Sequence, residues 1–395
     1  MKRLTNRPAY ITNYWLAAFI FFIIIPAALG LLWLSLGILV IAGSYKILQK
    51  ACNYIKKPTL KSVAKNVLLA VYIFIVSISL NLFVVEIYSI PSVSMENTLL
   101  TGDYILVNKL VYGPKLVRNA KEVSWLNFLL KPDNESNKDN QKPYNHKRAK
   151  GISKIKRGDI IVFKLYDEYI VVKRCIALAG DTLNIINGDI YVNGKKYASA
   201  ATVKEKYKLI FKNKKTYKAL VDAKYRQPGQ YHYNFQAQSI TGIFTRSEIS
   251  KLQPSPFVKV VKVIETGQKN HEVFAAPPQT SWTIDNMGPI VIPKKGLTIR
   301  LTAANYPVYQ KIINNTGHVK TDTASNTVVI NGKHQTHYTF KENYFFMMGD
   351  NRKEAMDSRF FGFIADEQII GKSPLILFSN HDNKFKWDRF LKPVF

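Results

Sequence analysis

The first 85 residues of this 395-residue chain contain no Asp or Glu. They hold nine basic residues: Lys2, Arg3, Arg7, Lys46, Lys50, Lys56, Lys57, Lys61 and Lys65. Cysteine is almost missing, at two residues, which excludes a scaffold built on disulfides. Histidine is sparse and scattered, and His334 and His337 form the one close pair among seven. On a strand those two positions point to opposite faces, and no Cys or acid stands beside them, so no metal site is expected. Walker and dinucleotide glycine patterns are absent. Composition leaves a Ser-His-Asp triad open, but there is no G-x-S-x-G elbow. No helix-turn-helix, zinc-finger or RNA-binding signature accompanies the basic charge, which argues against a nucleic-acid partner.

What is present divides the chain near residue 86. Lys and Arg number 56 against 27 Asp and Glu, for a net charge of +29, and 47% of residues are hydrophobic. That apolar content excludes disorder along the whole chain, and the length predicts two to three structural units at about 150 residues each. Tyr14 to Tyr45 is 32 residues without a charge, and Val67 to Val85 is another 19. A bilayer core needs about 20 apolar residues in a helix, so both runs read as membrane spans. The first fits one tilted span kinked at Pro26, or a cramped hairpin around Pro26–Gly30. It is too long for a cleavable signal peptide. Six Lys in the 46–66 segment place that loop in the cytoplasm. Everything after about Glu86 then lies outside, where Cys175 is separated from the cytoplasmic Cys52. A single first span also puts the N-terminus outside; Lys2, Arg3 and Arg7 favour the hairpin.

From residue 86 onward strand signals dominate. Tyr104–Leu110, Asp159–Leu165 and Tyr169–Ile176 are short runs rich in β-branched and aromatic residues. Asn193-Gly194 and Asn331-Gly332 are hairpin-turn dipeptides. Residues 115–157 are polar and read as a loop or a partly disordered insertion. The expected division is a membrane anchor over 1–85 (span 14–45, loop 46–66, span 67–85), a β core over 86–197 and 285–395, and an inserted second lobe over 198–284.

Three segments carry chemistry. Pro91-Ser-Val-Ser94-Met-Glu-Asn-Thr-Leu-Leu100 follows the second span closely, with two hydroxyls one strand period apart. Tyr169-Ile-Val-Val-Lys173-Arg174 places a lysine among apolar neighbours. Met347-Met-Gly-Asp350-Asn-Arg352-Lys-Glu-Ala-Met-Asp357-Ser-Arg359 concentrates acids and arginines. Taken singly, these read as a linker, a solvated strand lysine and a salt-bridged loop. In this order, after membrane spans, they resemble the bacterial type I signal peptidases, which use a Ser–Lys dyad.

The resemblance covers about 86–113, 157–197 and 340–378. It implies a membrane-anchored, mostly β fold, with N-terminal transmembrane helices, a β-rich signal-peptidase-like catalytic domain and an inserted second lobe. It implies Ser94 as nucleophile and Lys173 as general base. The Ser94 backbone N–H and the Ser92 hydroxyl would form the oxyanion hole. Asp350, Arg352, Asp357, Ser358 and Arg359 would support the site, and Ile90, Pro91, Met95, Leu99 and Val172 would line shallow substrate pockets. The chemistry agrees: a serine hydroxyl needs an adjacent base, and a lysine serves when desolvation lowers its pKa. Ile170, Val171 and Val172 are the expected source of that dryness.

The implied activity is removal of signal peptides from exported preproteins at the outer face of the cytoplasmic (inner) membrane, by a multi-pass protein with no cofactor. Its partners would be secretory preproteins and membrane lipids; the oligomeric state is left open. Three positions depart from the family pattern: Asn97 replaces a proline, Ala177-Leu-Ala-Gly-Asp181 replaces a proline-containing stretch, and Ala355 replaces a serine that orients the lysine. A backbone carbonyl, a water or Ser358 would have to stand in for that serine. Other readings are a narrow-specificity Ser–Lys processing peptidase for a pilin or transfer system, and a membrane-anchored pseudoenzyme or scaffold motivated by Ala355. A cytoplasmic Ser–Lys autoprotease of the repressor type is opposed by the two spans.

Overall fold

The computed structural model describes residues 23–28, 32–116, 148–165, 169–221, 231–265, 273–274, 282–314, 319–322 and 327–394. The chain divides into two compact units, 1–84 and 85–395.

In the first unit, helix α1 runs Leu32–Ala51 and helix α2 runs Pro58–Phe83. Among the described residues α2 alone is long and apolar enough to cross a membrane by length and composition, and none of its side chains is buried. Apolar residues on all sides suit a lipid solvent rather than a protein core. The helix boundaries differ from those expected. The loop over 46–66 shrinks to a few residues around a 3-10 turn at Cys52–Tyr54, because α1 carries Lys46 and Lys50 and α2 carries Lys61 and Lys65. Lysine is a good helix former, so charge did not end either helix. Pro58, preset for the first helical turn, starts α2. Tyr72 ties the helices together: its hydroxyl lies 2.6 Å from that of Ser44 and donates to the Ile41 carbonyl at 2.8 Å. The part of the first apolar run before Ile23 lies outside the described residues.

The second unit is β-rich, as its alternating runs predict. Strands β1 (Val85–Ser89), β2 (Asp103–Asn108), β3 (Ile160–Leu165) and β4 (Tyr169–Ala177) come first. A small sheet follows with β5 (Thr182–Ile186), β6 (Asp189–Val192) and β7 (Lys195–Lys196). The second lobe has β8 (Lys204–Phe211), α3 (Lys214–Leu220), β9 (Tyr231–Asn234), β10 (Ser239–Thr245), α4 (Arg246–Leu252) and β11 (Val258–Lys262). Its sheet order is β11-β8-β10-β9. In β8 the sequence Lys-Glu-Lys-Tyr-Lys-Leu-Ile-Phe alternates half-buried and buried positions without a break, so the pleat turns Tyr207, Leu209 and Phe211 into the lobe's own apolar core.

After the lobe come β12 (Met287–Val291), which joins β5, and β13 (Thr298–Arg300). Helix α5 (Tyr306–Asn314) and β14 to β17 (Val319–Asp322, Thr327–Ile330, Lys333–Gln335, His337–Thr339) complete this layer. The region expected to be plain catalytic core thus builds extra sheets, whose apolar cluster joins Ile290 and Ile313 to Ile176 and Phe346. The chain then returns with β18 (Tyr344–Met348), the short helix α6 (Ser358–Phe361), β19 (Ile364–Ala365) and the long β20 (Ile369–His381). The large antiparallel sheet has the order β1-β2-β20-β3-β4-β18-β19. Strand β20 inserts between β2 and β3, so the C-terminal part of the chain locks the two N-terminal strand pairs together. Both Asn-Gly dipeptides form the expected tight hairpins, with positive φ at Asn193, Gly194, Asn331 and Gly332. His334 and His337 fall on different strands, and no cluster of metal-ligating side chains occurs among the described residues. Of the polar 115–157 stretch, 117–147 lies outside the described residues; a bridge between Lys115 and Arg148 closes its base.

Candidate active site

Strands β1 and β2 are antiparallel neighbours, and Ile90 and Asp103 close the ladder between them. The segment 91–102 must therefore reverse direction, and this decides the conformation of the serine box. Ser92 is extended, but Val93–Met95 form a single 3-10 turn, with the Met95 carbonyl accepting from Thr98 and Leu99. The two serines are not one period apart on a strand, as their spacing suggested. The turn nevertheless leaves their hydroxyl oxygens 3.2 Å apart. Asn97, where the related pattern has proline, adopts a positive φ of 71°, which asparagine tolerates and proline cannot reach.

Lys173 projects from β4 and its Nζ lies 2.8 Å from Ser94 Oγ, across 79 residues of sequence. The same amine donates to the Val172 carbonyl at 3.0 Å. Both side chains are buried, at 4% exposure for Lys173 and 8% for Ser94. Desolvation lowers the Lys173 pKa to about 8, against the opposing pull of the Asp357 and Asp350 carboxylates. The dryness does not come from Ile170, which is 45% exposed. Gly349 lies against the lysine stem. A Cβ there would sit 3.6 Å from Lys173 Cδ, an ordinary contact, but would strike the Ala355 Cβ and lie only 2.6 Å from the Ser94 carbonyl oxygen, so glycine is what lets this backbone close on Ala355 and the Ser94 carbonyl.

Four charged residues of the acid–arginine box, Asp350, Arg352, Asp357 and Arg359, are internal, while Glu354 and Met356 are exposed. Asp350 accepts from Arg174 Nε at 2.8 Å and Nη2 at 2.7 Å, and from the Thr98 hydroxyl at 2.5 Å. Asp357 caps α6 and accepts from Arg359 Nε at 2.9 Å and Nη2 at 2.8 Å, and from the Gly349 N–H at 3.0 Å. Arg359 in turn donates to the Arg352 carbonyl at 2.6 Å, and Arg352 Nε to the Gly349 carbonyl at 3.2 Å. These residues fix the backbone of 349–352 beside Ser94 and Lys173. Ser358 does not substitute for the serine missing at 355: its hydroxyl accepts from the Met347 N–H at 2.9 Å. The Val172 carbonyl is what holds the amine.

The pocket residues separate. Met95 and Leu99 are 1% and 0% exposed and pack in the apolar cluster with Ile90, while Val172 sits at its margin and Pro91 is exposed.

The chain matches the family model for signal peptidase, peptidase S26, over residues 61–240 and 290–378, a stretch that contains Ser94, Lys173 and the 349–359 box. It belongs to the signal peptidase S26 family. The signal peptidase I of Buchnera aphidicola subsp. Schizaphis graminum is 24% identical over 306 residues, covering 77% of this chain and 72% of that one. The Aquifex aeolicus signal peptidase I is 23% identical over 309 residues, covering 75% and 77%. The Pseudomonas aeruginosa signal peptidase I is 32% identical over a shorter 147 residues, or 36% and 41%. As an S26 member the chain is a serine peptidase, a hydrolase acting on the signal peptides of preproteins.

Several residues around Ser94 and Lys173 were not singled out from the sequence. Asn351 donates its backbone N–H to the Ser94 carbonyl at 3.1 Å and its side-chain amide to the Val93 carbonyl at 3.3 Å. Thr98 links Asp350 to Thr202, at 2.9 Å between hydroxyls. Asn351 lay inside the recognised box and could have been named from it. Thr202 and Lys204 lie in the second lobe, and nothing local marks them.

Proposed function

We propose that this chain is a membrane-anchored serine endopeptidase that removes N-terminal signal peptides from exported preproteins at the outer face of the cytoplasmic membrane, with Ser94 as nucleophile and Lys173 as general base. The observation that carries this reading is the 2.8 Å contact between a desolvated amine and a serine hydroxyl. A serine hydroxyl attacks a carbonyl well only when a neighbouring base takes its proton. A lysine with a pKa near 8 is neutral in a useful fraction of molecules near physiological pH. Its lone pair accepts the Ser94 proton while an N–H stays on the Val172 carbonyl. Ser94 Oγ then bonds to the scissile carbonyl carbon. The Ser94 N–H opens a 3-10 turn and has no carbonyl within that turn to bond; together with the Ser92 hydroxyl it suits the developing oxyanion. The Lys173 ammonium returns the proton to the departing amine, leaving an acyl-enzyme on Ser94. A water deprotonated by Lys173 releases the acyl group.

The substrate would lie extended. Strand β4 meets β18 only from Arg174 onward, so among the described residues its Tyr169–Val172 half pairs on one edge, with β3. An open edge beside the base accepts a peptide through backbone hydrogen bonds. Close packing of Met95 and Leu99 leaves no depth beneath the serine, which favours small side chains flanking the cut. Two crossings, by the apolar run Tyr14–Tyr45 and by α2, with Lys46 to Lys65 on the cytoplasmic side, would leave the residues after about Glu86 outside. Cleavage of a preprotein with an Ala-x-Ala site by the purified protein tests the reading. Ser94→Ala and Lys173→Ala are each expected to abolish it; full activity in either sinks the dyad.

A further inference from the structure

We propose that Lys204 and Glu96 form a positioning clamp by which the second lobe holds the Ser94 turn in place for catalysis. This rests on the reading of Ser94 as nucleophile. Lys204 is the first residue of β8, at the point where the lobe departs from the catalytic sheet. Its Nζ pairs with Glu96 Oε2 at 2.8 Å, and Glu96 is the residue that ends the 3-10 turn carrying Ser94.

The pair is one strand of a triple attachment. The Lys204 backbone N–H donates to the Asp350 carbonyl at 2.8 Å, and the Arg352 N–H donates to the Lys204 carbonyl at 3.0 Å. The lobe's first strand therefore lies parallel against 350–352. Asn351, held between those two bonds, reaches the other way: its N–H meets the Ser94 carbonyl at 3.1 Å and its Nδ2 lies 3.3 Å from Glu96 Oε2. One carboxylate oxygen of Glu96 thus receives both the lobe's lysine and the box's asparagine. Two residues before Lys204, the Thr202 hydroxyl meets that of Thr98 on the far side of the turn.

The turn is three residues long, with no side-chain cap, and Met95 anchors its end in the apolar cluster. Serine must nevertheless sit within a fraction of an ångström of its base, since a displacement of about 1 Å costs roughly a hundredfold in rate. The Lys204 and Glu96 side chains keep 17% and 30% of their exposure, and ion pairs near solvent contribute little to stability. The arrangement is thus suited to placing the serine rather than to holding the domain together.

The test uses the full-length protein in detergent, with Glu96→Gln, Lys204→Met and the exchange Glu96→Lys/Lys204→Glu. Preprotein cleavage is measured alongside the acylation burst with a small activated ester, which reports Ser94 without the peptide groove. Each single variant should lower kcat and the burst rate by about tenfold, with KM within about twofold and an unchanged melting temperature; the exchange should recover most of the rate. Unchanged kcat in Lys204→Met overturns the clamp, as does a loss that follows the melting temperature or that the exchange fails to recover. Failure of the underlying reading shows separately: the ester burst would then persist in Ser94→Ala.

Discussion

Lys173 and Arg174 are consecutive on β4, both cationic and both almost fully buried, at 4% and 3% exposure. Strand alternation turns them to opposite faces, and the two faces treat charge differently. On one side Arg174 meets Asp350 through two parallel hydrogen bonds and also donates to the Gly158 carbonyl at 2.9 Å. Burial works against its charge, but Asp350 outweighs burial and holds its pKa above the ordinary value. On the other side Lys173 contacts a hydroxyl and a carbonyl, and desolvation brings its pKa down to about 8. A buried cation holds its proton where a carboxylate is built against it and gives it up more readily where none is. On the proposed reading the strand uses both outcomes, a fixed charge for architecture and a removable one for proton transfer.

Exchanging the two kinds of cation tests this most severely. Lys173→Arg retains positive charge but cannot deprotonate, so preprotein cleavage should fall by at least about a thousandfold, measured as kcat. On the other face, Arg174→Met leaves Asp350 buried without its partner. Loss of one member of a buried pair costs about 3–5 kcal/mol, which denaturant unfolding would detect.

Removing the lysine has the opposite sign. Its ammonium is disfavoured in the folded state below pH 8, and that penalty disappears as pH rises from about 8 toward the unfolded value of 10.5. Lys173→Met is therefore expected to be more stable than the parent by about 3 kcal/mol at pH 7, with the difference vanishing near pH 10.5. A constant difference across that range would mean Lys173 is not desolvated. The same group would set the pH profile of activity. With the neutral amine as the proposed base, kcat/KM should rise roughly tenfold per pH unit toward pH 8 and then level off. The smallest effect is expected at Ala355→Ser. The Val172 carbonyl already holds the amine, so the rate should change by less than about threefold. A gain of tenfold or more would show that a carbonyl is a poor substitute for the hydroxyl.

Legibility in the sequence followed the range of the interactions involved. The β character of the second unit, the Asn-Gly hairpins and the apolar helix α2 rest on patterns within a few residues, and they could be read directly. The helix ends at Ala51 and Pro58 could not, because lysines, read as the mark of a membrane boundary, do not interrupt helical hydrogen bonding. The extended reading of Ser92–Ser94 failed because chain reversal into β2 outweighs local alternation. Met95 and Leu99, placed by analogy at a pocket surface, are sealed by neighbours on β2, β3 and β20, all distant in the chain.

The sequence by itself determined the membership in the signal peptidase family, the sign and placement of charge in residues 1–85, and the residue types available for acyl transfer. Those are properties of composition and short motifs. Tertiary structure alone decided that the Lys173 amine meets Ser94, that Gly349 lies against the lysine stem while Ile170 stays exposed, and that a lysine from the second lobe reaches the turn carrying Ser94. A pKa and a position accurate to a fraction of an ångström depend on which distant segments exclude water and share hydrogen bonds at one point. Those partners come from residues near 94, 173, 204 and 350, and no local pattern holds them together.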